Sequence, residues 1–170
     1  MEVDRPNHTS PYLVINEYWE GKTDSKGSPY MWHIDMGAAY LKSQKASQDV
    51  LDAWFIHPII QDASDLKENH QIMTKCLSPI AVMYCVEYRH QANWYSTRSK
   101  LDTKPRLNIL PEVAMMLKAD KLQNRWNLSR YRKDHPNYEW LNAYFNIWFN
   151  ALGIKDSEAN AAYELFDLIG

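Results

Sequence analysis

Glycine, cysteine and net charge are all scarce in this chain. Five glycines in 170 residues are too few for a linker-rich or turn-rich β protein. Two cysteines, Cys76 and Cys85, exclude a disulfide scaffold and any four-cysteine zinc site. Both lie in an apolar stretch, which suits buried free thiols in a reducing compartment. Nineteen Lys and Arg against twenty-one Asp and Glu leave a net charge of −2, so no bulk grip on nucleic acid or an anionic membrane is expected. The longest apolar run, Ile80 to Val86, falls far short of the roughly 20 residues that cross a bilayer. Met1 to Pro6 lacks the basic start and apolar run of a signal peptide, and the expected location is the cytoplasm.

Aromatic residues, by contrast, are plentiful: seven Trp and eleven Tyr. With 45% hydrophobic and 24% charged residues, the composition is that of an ordinary globular protein. Residues 1–170 are read as one domain, large enough to bury a core without staples.

Periodicity points to helices throughout. Tyr12 to Glu20 reads as a short first helix, ended by the polar turn Gly21 to Pro29. Met36, Ala39 and Tyr40 recur at helical steps over Met36 to Ser43. Ser47 suits the N-cap of a helix over Val50 to Ile60, apolar on nearly all sides and hence central. Further helices are expected over Leu66 to Cys76, from Pro79 towards Trp94, from Pro111 through Leu122, over Trp140 to Leu152 and over Glu158 to Ile169. Ser99 to Asn108, polar and holding Pro105, reads as a loop. Asn142, Asn146 and Asn150 form a stripe expected to face solvent. No run of strict alternation stands out, so the expected class is all-α, with Val14-Ile15 and Ile80 to Val86 the places where a strand would fit best.

Three clusters carry possible chemistry: Gly27-Ser28-Pro29-Tyr30-Met31-Trp32-His33, His57-Pro58-Ile59-Ile60-Gln61-Asp62 and Ala119-Asp120-Lys121-Leu122-Gln123-Asn124. Singly, each reads as core or surface, while His8, His70, His90 and His135 read as surface residues. In this order and spacing, the three resemble the HD-type hydrolase domain of the RelA/SpoT alarmone enzymes, above all the small stand-alone hydrolases. Those carry a Gly-[Thr/Ser]-Pro-Tyr segment leading to a His, then a His-Asp pair followed by Glu-Asp, then Ala-Asp-[Lys/Arg]-Leu-x-Asn. The likeness runs from about Tyr12 to Leu152, where the helix with Tyr144, Phe145 and Trp148 resembles the aromatic helix that closes the family's domain.

The resemblance implies a single HD-like helical domain holding one divalent ion, usually manganese, and removing the 3′-pyrophosphate of guanosine tetra- and pentaphosphate. The implied metal ligands are His33, His57 and Asp120. Asn124 is implied as a nucleotide contact, and Lys22 lies in the family's phosphate-binding segment. Imidazole and carboxylate do suit a divalent ion that polarises phosphate and activates water. Lys26, Lys121, Arg125 and Arg130 are further candidate anion contacts, and Tyr30, Trp32 and Trp126 candidate stacking platforms.

Two departures cut into this picture. The Asp of the His-Asp pair is Pro58, which removes one ligand. The catalytic Glu is Gln61, an amide without useful basicity near pH 7, while Asp62 remains. The favoured expectation is a pseudoenzyme that binds a phosphorylated signalling nucleotide without efficient hydrolysis, with no cofactor or a single divalent ion, as a sensor, sequestering protein or regulator. The alternative is a metal-dependent phosphohydrolase using His33, His57 and Asp120 with Asp62 as its only base. A third expectation is an HD scaffold serving a protein partner or a second copy. Tyr88 to Tyr95, rich in Tyr, Trp and Arg, is then the candidate surface.

Overall fold

The computed structural model describes residues 10–96 and 107–170, the side chains of 94–96 excepted. Among these residues the architecture is all-α: α1 (Pro11–Trp19), α2 (Tyr30–Ser43), α3 (Gln48–Ile56), a 3-10 turn (His57–Ile60), α4 (Ala63–Cys76), α5 (Pro79–Ser96), α6 (Pro111–Tyr131), α7 (Tyr138–Leu152) and α8 (Asp156–Asp167). Val14-Ile15 and Ile80 to Val86 are helical. The sole β pairing among the described residues is an isolated bridge between Thr23 and Pro29. The expected loop over Ser99 to Asn108 lies, apart from residues 107 and 108, outside the described residues, as do His8 and the side chains of Trp94 and Tyr95.

Local chemistry sets the helix starts. Pro11, Pro79 and Pro111 each open a helix, where the missing N–H costs nothing because the first N–H groups have no partner in the helix. Ser47 caps α3 by accepting the Val50 N–H at 3.4 Å. Helix α3 is buried at every position from Val50 to Ile56 and packs against α1, α2 and α5. Its all-round apolarity therefore marks the centre of the bundle. Helices α2 and α6 pack closely together, α7 lies along α6, and α8 touches both α2 and α6. The Asn face of α7 is solvated at Asn146 and Asn150, while Asn142 accepts from Arg125.

Helix α2 begins at Tyr30, two turns before the regular spacing from Met36. Those two turns carry Tyr30, Trp32 and His33, which line a cavity rather than the core, so their pattern is mixed instead of amphipathic. Helix α3 is correspondingly shorter than its apolar run, because Pro58 has no N–H to return to the carbonyl four residues back.

One close approach sets the spacing of α2 and α3. A Cβ on Gly37 would lie 2.0 Å from Cζ2 of Trp54, whose ring is fully buried and whose indole N–H donates to the Ile34 carbonyl at 2.9 Å. Gly37→Ala must push the helices apart or turn the indole. The expected cost is about 1–3 kcal/mol, measured as a lower midpoint in urea unfolding. An unchanged midpoint would contradict the packing described.

Candidate metal centre and its cavity

Two loops and three helices build the site. The turn before α2 is folded around Asp24, whose carboxylate accepts the N–H groups of Lys26 at 2.8 Å and Ser28 at 3.0 Å. Gly27, at φ +85°, takes the left-handed conformation that side chains disfavour. From the far end of α6, Arg132 donates to the same carboxylate at 2.7 Å, and Lys26 reaches Asp134 at 2.6 Å. Burial pushes the Asp24 carboxyl up, but Arg132 and the two N–H donors outweigh it and hold the group below the ordinary carboxylate range. This anchored turn leads into α2 and so sets the place of His33.

His57 stands at the end of α3. With no N–H at Pro58 to point back at it, the Trp54 carbonyl accepts from the His57 ring at Nδ1, at 2.5 Å. A carbonyl only accepts, so the His57 proton sits on Nδ1 and the lone pair on Nε2 faces the cavity. His33 is set the same way, its Nδ1 donating to Oε1 of Gln123 at 2.8 Å. The two Nε2 atoms thus face each other at 3.2 Å. Asp120 Oδ1 lies 3.8 Å from His33 Nε2. The Trp54 indole lies against both imidazoles, with ring centroids 5.0 Å from His33 and 4.3 Å from His57.

His33, His57 and Asp120 therefore bring one ligand atom each within 4.8 Å of one another. Two imidazole nitrogens and one carboxylate converging this closely fit a divalent cation in kind as well as in place. Hydrogen bonds that fix ligand tautomers are the usual support of such centres. Asp120 is itself held by Asn124 at 2.6 Å on Oδ1, by Lys121 at 2.7 Å on Oδ2 and by the Tyr88 hydroxyl. Burial pushes the Asp120 carboxyl up, but Lys121 and the histidines outweigh it and keep the group below its ordinary value.

The centre lies in a cavity of about 620 Å³. Tyr30, Trp32, Gln61, Asp62, Lys121 and Asn124 all line it, so most of the expected contacts do meet. Lys22 does not: it is exposed, off the cavity wall, with its ammonium 4.6 Å from the Tyr18 ring. Trp126 is buried, with its indole donating to Asp167, and is no stacking platform. Lys26 and Arg130 pair with Asp134 and Asp167, and Arg125 lies over Phe149. Gln61 is drawn to α5, donating to Asn93 at 2.7 Å while its carbonyl accepts from Asn93 at 2.6 Å. Asp62 is the N-cap of α4 and forms a capping box with Asp65.

Sequence reasoning gave Tyr88, Gln123 and Asn127 no role in the site. The last lines the cavity with a buried Oδ1 that has no hydrogen-bond partner among the described residues. Helical spacing held the signal for two of them, since Asp120, Gln123, Asn124 and Asn127 share one face of α6.

Burial, reinforced by His33, pushes the His57 imidazole down to about 3, against partial opposition from Asp120 and the Trp54 carbonyl. Between an unfolded value of about 6.5 and the folded one, the unfolded chain takes up a proton that the folded protein refuses. Stability therefore falls as pH drops through that window, by up to about 1.4 kcal/mol per unit. In urea unfolding with a chelator, wild type should lose roughly 1 kcal/mol more than His57→Gln between pH 6.5 and 5.5. Equal losses would mean that His57 is not held neutral.

No family model, no curated protein and no solved structure matches this chain.

Proposed function

We propose that this chain is an HD-type, alarmone-hydrolase-like protein that binds a phosphorylated nucleotide at a single divalent cation without hydrolysing it efficiently. The convergence of His33 Nε2, His57 Nε2 and the Asp120 carboxylate at one wall of a nucleotide-sized cavity carries the reading. The three come from the three clusters on which the sequence resemblance rests. A divalent ion held there supplies polarisation of a phosphate oxygen and acidification of water. Manganese is the ion that the resemblance implies.

The chain's own residues support binding over turnover. Pro58 offers no ligand atom. Gln61 is a neutral amide engaged by Asn93, unable to take a proton from water. Asp62, the sole acidic group left of the Glu-Asp pair, serves as a helix cap. Lys121 and Asn124 stand beside the cation position, and Tyr30, 39% exposed, offers a ring face at the cavity wall for a base.

Elemental analysis and calorimetry test this reading. Protein equilibrated with manganese and guanosine tetraphosphate together should hold about one divalent ion per chain, lost in His33→Ala and in His57→Ala. Guanosine tetraphosphate should bind in the presence of manganese and be recovered intact. Pro58→Asp combined with Gln61→Glu should raise pyrophosphate release by about a hundredfold or more, the usual contribution of a general base. Efficient hydrolysis by wild type, lost in Asp62→Asn, would favour the phosphohydrolase instead. Neither ion nor nucleotide bound by a folded protein would leave the helices as an interaction scaffold.

A further inference from the structure

Lys121 is 6% exposed, yet it is one of the residues that line the cavity. Of its three N–H donors, one meets Asp120 Oδ2 at 2.7 Å and one the Tyr144 hydroxyl. The faces of Trp148 and Tyr144 lie 4.8 and 5.6 Å from Nζ. The charge is thus housed between a carboxylate and two rings at the edge of the cavity.

The charge balance of the wall makes this placement consequential. Among the described lining residues, the cations are Lys121 and Arg132, against the carboxylates of Asp24, Asp62, Asp65 and Asp120. Arg132 is committed to Asp24, and Lys121 to Asp120. The four carboxylates outnumber the two cations, and a phosphate entering alone meets repulsion. A divalent cation reverses this, but it must share Asp120 with an ammonium already in contact with it. Lys121 therefore opposes the cation, and an oxyanion placed between the two relieves both.

We propose that Lys121 is a resident counter-ion of Asp120 which makes uptake of a divalent cation and of a phosphate-bearing ligand mutually dependent. This rests on the metal-centre reading above and adds to it an order of events: the cation binds weakly alone, the phosphate ester scarcely at all, and the two together well. Such coupling is reciprocal by thermodynamic necessity.

Manganese titration followed by the spectrum of the free ion, with guanosine 3′-monophosphate as the phosphate ester, tests the assignment. In wild type, saturating nucleotide should tighten manganese binding about tenfold. Lys121→Met, which keeps the buried stem and removes the charge, should bind manganese alone about tenfold more tightly than wild type. It should gain less than about twofold from the nucleotide. Lys121→Arg should keep the wild-type coupling. If the methionine variant fails to fold, Lys121→Gln carries the same expectations. A folded neutral variant that binds manganese no more tightly than wild type, or retains the full nucleotide effect, would overturn the role of Lys121 alone. Wild type that takes up no manganese with or without nucleotide would overturn the metal centre as well.

Discussion

The hydrogen bond from the Trp54 indole to the Ile34 carbonyl holds together the two helices on which the site depends. It joins the last turn of α3 to α2 one residue after His33, deep in the core, where an unpaired N–H would be costly. Gly37 allows the ring to come that close. The same residue's ring lies against both imidazoles, and its carbonyl fixes the tautomer of one of them. Core packing and site geometry are here one arrangement, so a change that disturbs the ring disturbs the ligands.

Much of the fold was legible in the chain because the helices announce themselves. Pro11, Pro79 and Pro111 stand at helix starts, Ser47 at a cap, and the apolar residues of α3 and α8 recur at helical spacing. Legibility failed where a helix turns its residues to a cavity. Tyr30 to Asp35 mix rings, an imidazole and a carboxylate because part of that stretch lines the site, and the first turns of α2 are hidden in consequence. The ligand set was legible only as three clusters in order. What joins them was not, since His33 meets Gln123 ninety residues further on and His57 twenty-four residues away. Nor could spacing show that Lys22, next to the turn that leads to His33, stays off the cavity wall.

The polar interior of the bundle is organised by pairing. Asp120 with Lys121, Asp24 with Arg132 and Glu158 with Lys118 and Tyr40 each satisfy a carboxylate at a junction of elements. The Glu158 group ties α8 to α2 and α6, where helix packing alone would leave an acidic side chain partly desolvated. Such pairs add modestly to stability, yet removing one partner is costly because the other charge stays behind. They also account for the shortage of available cations around the cavity: several of the expected anion contacts are already committed to carboxylates.

Pro58 is more than the loss of a carboxylate. By ending α3 it leaves the Trp54 carbonyl to the His57 ring, so the backbone of residue 58 and the side chain of residue 57 draw on one acceptor. Any residue other than proline restores an amide donor beside that carbonyl. The choice of amino acid at position 58 is therefore bound to the location of a proton on its neighbour, and the two positions form a single unit of sequence variation.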